Sequence, residues 1–278
     1  MLPMVSFFGT SVTRLTLGDN PFHGHSYIQQ VHSGEEMKTF YTIDTCVRAL
    51  FVAQEQGINT YIALAEPKTL EIIRQYRQAG GSMNILFQSY PPADLAANVR
   101  EMLEYHPIGI YHQGGSLDYM VETGQVEQLR ERLKLIKATG LATGLGTHEP
   151  GTVLRAEEED WGADFYMTCL YNARRTQRGQ QSGFITGKPK ELVFYPEDRF
   201  LMFEVIRKVA KPCIAFKVFA GGQIFCGKKP EETAAIAEAA IRETYGSIKP
   251  GDLACIGVYQ KLKDQLREDI GIARKVLG

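Results

Sequence analysis

The chain has 278 residues, 44% of them hydrophobic and 23% charged, and a formal net charge of −1. That length suits one barrel-sized domain of about 250 residues with its own core. Near-neutral charge excludes bulk attraction to nucleic acid or an anionic membrane surface, and no apolar run approaches the roughly 20 residues that span a bilayer. The first residues lack a basic segment and a long apolar one, so no secretion signal is expected. Cys46, Cys169, Cys213, Cys226 and Cys255 are odd in number and widely spaced, with no C-x-x-C pair. They read as reduced thiols of a cytoplasmic protein, not as a zinc ribbon or disulfide framework.

Taken in order, the pattern predicts a first strand over 13–18, a loop holding Asp19, Asn20, His23 and His25, and a helix over 42–56. In that helix Ile43, Cys46, Val47 and Leu50 recur at helical spacing. A second strand over 59–64 leads to Glu66-Pro67, with Pro67 suited to the first turn of a helix over 67–79. A third strand over 84–88 precedes an Asp-capped helix over 94–105. The fourth strand, 109–112, is followed by a Gly114-Gly115 loop and a helix over 125–139. The fifth, 142–146, runs into Thr147-His148-Glu149-Pro150 and a short helix. The sixth, 165–170, opens a long loop over 171–195, ahead of a helix over 196–209. A strand over 213–219, a helix over 230–245, a strand over 253–258 and a last helix close the series.

Eight short, almost continuously apolar strands alternating with amphipathic helices indicate a parallel sheet covered by helices. Eight units fit closure, so the fold expected is α/β, a single (β/α)8 TIM barrel over residues 1–278. An open doubly wound sheet is the rival; no G-x-G-x-x-G follows the first strand to support it.

Several stretches resemble the aldo-keto reductases: Gly57-Ile58-Asn59-Thr60-Tyr61, Ile110-Tyr111-His112, the segment from Gly140 to His148, and Tyr171-Asn172. Ala215 to Ile224, with its Gly221-Gly222 pair, and Ile256-Gly257 to Ile270 are similar to the same family. The resemblance implies a barrel of that type with its site at the strand C-termini, a nucleotide-facing Gly221-Gly222 turn and an NADP cofactor. It also implies a Tyr, Lys, Asp and His set, of which only His112 has a match. Ile62-Ala63 stands where the Asp belongs, Glu66-Pro67 near the Tyr position, and Gln88-Ser89 where the Lys belongs. His23-x-His25 after the first strand also resembles metallo-dependent hydrolase barrels, although the last strand ends in Tyr259-Gln260 without that group's Asp.

The chain has only six histidines, and His23, His25, His112 and His148 all follow strands, on the face where barrel active sites lie. Imidazoles and carboxylates converging there suit Zn or Mn. The reading that follows is a metal-dependent hydrolase for a small, anionic phosphate or carboxylic ester, with metal held by His23, His25, His112 and His148. His112, Lys217, Glu66 and Asp19 are its catalytic candidates. Tyr171, Asn172, Arg174, Tyr259 and Gln88 are its substrate contacts. Each has a plainer alternative: loop hydrogen bonding for His23 and His25, helix capping for His148, and neutralisation of a helix N-terminus for Glu66. Lys217, alone among apolar strand residues, reads as a Schiff-base nucleophile, as a group that binds a carboxylate or phosphate, or as a partner of Glu66. Arg174, Arg175, Arg178, Lys188 and Lys190, in a stretch without acids, read as a basic lid. The alternatives are an NADP-dependent reductase, a Lys217 Schiff-base lyase, and a non-enzymatic metabolite-binding barrel. Partners are expected to be small molecules, with homo-oligomer formation left open.

Overall fold

The computed structural model describes residues 1–172 and 194–278; the basic stretch with Arg174 lies outside the described residues. The first elements are a hairpin, β1 (Met4–Phe7) and β2 (Thr10–Thr13), turned through Phe8 and Gly9, both at positive φ. The single strand expected over 13–18 is therefore split. Only Leu15–Gly18, β3, enters the main sheet.

That sheet continues with β4 (Thr60–Leu64), β5 (Asn84–Gln88), β6 (Gly109–His112) and β7 (Ala142–Thr147), then β8 (Phe165–Cys169), β9 (Cys213–Phe216) and β10 (Leu253–Ile256). All neighbours are parallel, and β10 pairs with β3, so the eight strands close into a barrel. The helices around it are α1 (Gly34–Phe40), α2 (Ile43–Glu55), α3 (Pro67–Gln78), α4 (Leu95–Leu103) and α5 (Gly114–Glu122). They continue with α6 (Val126–Lys137), α7 (Pro150–Glu158), α8 (Asp198–Lys208), α9 (Thr233–Ser247) and α10 (Gln265–Leu277). The expected TIM barrel is present. No described helix is long and apolar enough to cross a membrane.

Strand parity sets what enters the barrel. Ile62, Leu86, Tyr111, Phe165, Met167, Ile214 and Cys255 pack together inside it. Alternate residues such as Tyr61, Ile85, Phe87, Ile110 and Tyr166 belong to the larger cluster under the helices. Phe7 and Val12 of the hairpin join the inner cluster, with the Phe7 and Phe165 rings 5.1 Å apart, so the hairpin plugs the N-terminal end. The opposite end is left as the mouth.

Candidate active site

A cavity of about 950 Å3 opens at the C-terminal mouth. Asp19, Ile62, Gln88, Tyr111, His148 and Lys217 line it, with Tyr27, Phe216 and Tyr259 among the aromatic walls. A smaller recess of about 520 Å3 beside it is bordered by His23, His25, Glu66 and Lys68.

The loop after β3 is organised by Asp19. Its Oδ2 accepts from the Leu64 backbone N–H at 2.6 Å and lies 3.0 Å from His23 Nε2. On the other side of the ring, Glu66 Oε1 approaches His23 Nδ1 to 2.6 Å, a charge contact with poor angles for a hydrogen bond. Burial opposes charging of His23, but Asp19 and Glu66 together outweigh it and hold its pKa up at about 9. His23 is an imidazolium at neutral pH. His25 goes the other way, down to about 4, through burial and the adjacent charge of His23.

His112 is the last residue of β6, one place beyond Tyr111, and so turns to the helix side of the sheet. It is 1% exposed and does not line the cavity. Its Nε2 sits 3.3 Å from Arg132 Nη1 of α6, and its Nδ1 3.3 Å from the Gln113 carbonyl oxygen. Burial, and then the Arg132 charge, push its pKa down to about 4. Tyr111 takes the cavity-facing place and donates to Gln88 Oε1 at 2.7 Å. Burial lifts that phenol well above its ordinary value.

The sequence pattern left out α5, which starts at the Gly114-Gly115 pair read as a loop. A Cβ at Gly114 would lie 3.1–3.3 Å from the backbone of Gly146 and Thr147, so glycine lets this helix rest directly on β7. That contact delivers Asp118, which is fully buried. Its carboxylate accepts from Thr147 Oγ1 at 2.5 Å and from the His148 backbone N–H at 3.2 Å, and it meets His148 Nδ1 at 2.7 Å. Asp118, Tyr111 and Tyr27 are the site residues that sequence reasoning missed. Leu117, Met120 and Val121 at helical spacing, behind Gln113 as cap, were the signal for α5.

β9 ends at Phe216, three residues earlier than expected, and Lys217 leaves it with φ 61°. Its Nζ is 4.5 Å from the centre of the Tyr27 ring and 4.9 Å from that of Phe194. A Schiff-base lysine needs a depressed pKa. Burial works in that direction, yet Cys169 and Tyr27 hold the Lys217 amine above its usual value. Of the remaining expected contacts, Tyr259 and Gln88 line the cavity. Tyr171 packs on Phe194, and Asn172 donates to Glu149 at 2.8 Å; neither lines it.

The expected metal centre is corrected by these positions. Among the described residues no group of three or more His, Cys, Asp or Glu side chains is arranged to hold a metal ion. His23 has carboxylates at both ring nitrogens, His112 faces the helices, and His148 gives its Nδ1 to Asp118.

A test of the buried histidine follows. A neutral His112 with a folded pKa near 4 must gain a proton on unfolding, so its contribution to stability is lost as pH falls from 6.5 toward 4. His112→Gln should reduce the acid-side slope of unfolding free energy by about 1.4 kcal/mol per pH unit, one proton's worth. Denaturant titrations across that window would show an unchanged slope if His112 were charged in the native state.

The fold thus defines a closed (β/α)8 barrel with its cavity at the C-terminal mouth. Solved structures of similar fold include aldo-keto reductases. The chain is similar to aldo-keto reductase AKR11C1 from Bacillus halodurans in its holo form (TM-score 0.60, 9% identity, covering 99% of this chain and 96% of that one). It is also similar to an aldo/keto reductase from Brucella melitensis (TM-score 0.55, 10% identity, 98% and 93%). A third similar structure is a Gox0644 variant in complex with NADPH (TM-score 0.58, 12% identity, 98% and 88%). No protein-family model matches, and no curated protein matches in sequence. The barrel is therefore aldo-keto reductase-like in fold. The metal-dependent hydrolase reading is overturned: among the described residues its ligands do not converge on a metal site, and the similar structures include aldo-keto reductases and a complex with NADPH.

Proposed function

We propose that this protein is an enzyme, an NADP-dependent oxidoreductase of small carbonyl or hydroxyl compounds, with a proton-handling set unlike that of the reductases it resembles. The observation that carries this is the shape and lining of the mouth cavity. It runs from Ile62, Gln88, Met167 and His148 past Lys217 and Gly221-Gly222 to Lys228, Lys263 and Gln265 at the start of α10. At about 950 Å3 it stands at the upper end of cofactor and ligand sites.

The residues present fit a nicotinamide dinucleotide in chemistry. Apolar Ile62, Met167 and Phe216 would face the flat ring. Lys228, Lys263 and the N-terminal turn of α10 would meet phosphates. The glycine pair itself answers to packing: a Cβ at Gly221 would meet the Tyr27 ring at 2.6–2.8 Å. When bound, the cofactor supplies or takes a hydride.

Proton handling falls to this chain's own groups. Tyr111 is unsuited as an acid, since burial raises its pKa and its O–H is directed to Gln88. Its place beside Gln88 instead suits orientation of a substrate oxygen. With Asp118 on Nδ1, the His148 ring is fixed so that Nε2 is the atom to pass a proton to a substrate oxygen. The reading is checked by calorimetric titration with NADPH and NADH, then by nicotinamide absorbance with a panel of small carbonyl compounds. Micromolar NADPH binding with turnover of at least one of them is expected. No binding of either nucleotide at millimolar concentration overturns the reading.

A further inference from the structure

Among the described residues Lys217 has no ion-pair partner, and the groups that hold its charge are Cys169, the Tyr27 hydroxyl and, from further off, Asp118. The surroundings of its Nζ are the rings of Tyr27, Phe194 and Phe216 at 4.5, 4.9 and 5.7 Å. Aromatic faces offset part of the cost of stripping water from an ammonium, but burial of an ion is fully compensated only by an opposite charge. Asp118, the one carboxylate whose charge acts on the amine, already holds His148 and Thr147. The ammonium borders the cavity, so a ligand can reach it.

We propose that Lys217 anchors a carboxylate of the substrate, which makes the substrate a small oxo or hydroxy acid. The reaction named here rests on the oxidoreductase reading above; the binding does not. One ammonium in an aromatic setting matches the single charge of a carboxylate. A phosphate, with about −1.5 to −2 charges and three acceptor oxygens, would need a second cation. Lys38, Lys228 and Lys263 also border the cavity, but none of them is among the charges that act on the Lys217 amine. The left-handed backbone at Lys217 is shared by any replacement, so Lys217→Met and Lys217→Arg carry the same local strain.

The probes are benzoate and its uncharged isostere benzamide, titrated calorimetrically into the full-length protein without nucleotide. Benzoate should bind roughly thirtyfold or more tightly than benzamide, the loss expected when one side of a buried charge pair is removed. The preference should vanish in Lys217→Met and survive in Lys217→Arg. Equal binding of the two probes, absence of binding by benzoate, or a benzoate preference that persists in Lys217→Met overturns the proposal. So does tighter binding of inorganic phosphate than of benzoate, or a mass increase on Lys217 after pyruvate and cyanoborohydride, which would assign a covalent role. If carboxylates bind through Lys217 while NADPH does not bind at all, the redox reading fails and the anion site stands.

Discussion

His148→Gln should lower kcat by about 10²–10⁴, the range expected when a positioned general acid or base is lost. The fold should survive, because the side chain is partly exposed on the cavity wall and Gln can keep a polar contact with Asp118. KM should change far less than kcat, since the ring is asked to move a proton and not to hold the substrate. Asp118→Asn is the companion variant. Asp118 fixes which imidazole nitrogen carries the proton, and an amide in its place can hold the wrong tautomer. It also accepts from Thr147 and the His148 backbone in a buried setting, so a loss of about 1–3 kcal/mol accompanies the catalytic loss. The two effects separate in practice: turnover is taken per folded molecule, and stability from denaturant midpoints. Full activity in His148→Gln would return the proton chemistry to another group.

The same dyad shows where sequence reading reached and where it stopped. His148 was placed at the mouth because it follows an apolar run that ends at Gly146, and the cavity includes it. Its partner was out of reach because α5 opens with two glycines, ordinarily a loop signal. Here the first of them, Gly114, is small because the helix must touch the β7 backbone. His112 failed for a different reason. β6 is buried at all four positions, so no alternation of polar and apolar residues marks its inner face. With no such mark, parity is undetermined, and a one-residue error exchanges the cavity for the helix layer. The eight strand-helix units were legible because each apolar run is bounded by Gly, Pro or a capping residue. The β1–β2 hairpin lies before residue 13, where the pattern starts its first strand, and so it went unassigned.

The largest stability effect should come from Asp19, expected from sequence to be catalytic. Its Oδ2 ties the loop after β3, through His23, to the Leu64 N–H at the end of β4, and His23 in turn contacts Glu66. Asp19→Ala leaves a buried imidazolium with one carboxylate and strands the Leu64 donor. Breaking a buried pair in this way costs about 3–5 kcal/mol. Asp19→Asn should cost less, because an amide oxygen can still accept from both donors while the charge is lost. The pH dependence provides the control. His23 has a folded pKa raised to about 9 against 6.5, so its stabilisation is fully present below pH 6.5 and is lost as pH rises toward 9. The parent should therefore weaken across that window, and Asp19→Asn should show a flatter decline, because its His23 starts from a lower folded pKa. Unfolding midpoints between pH 6 and 9.5 measure both. An Asp19→Ala protein that unfolds with the parent's midpoint but has lost turnover would make Asp19 a catalytic group and not the tie that holds the mouth.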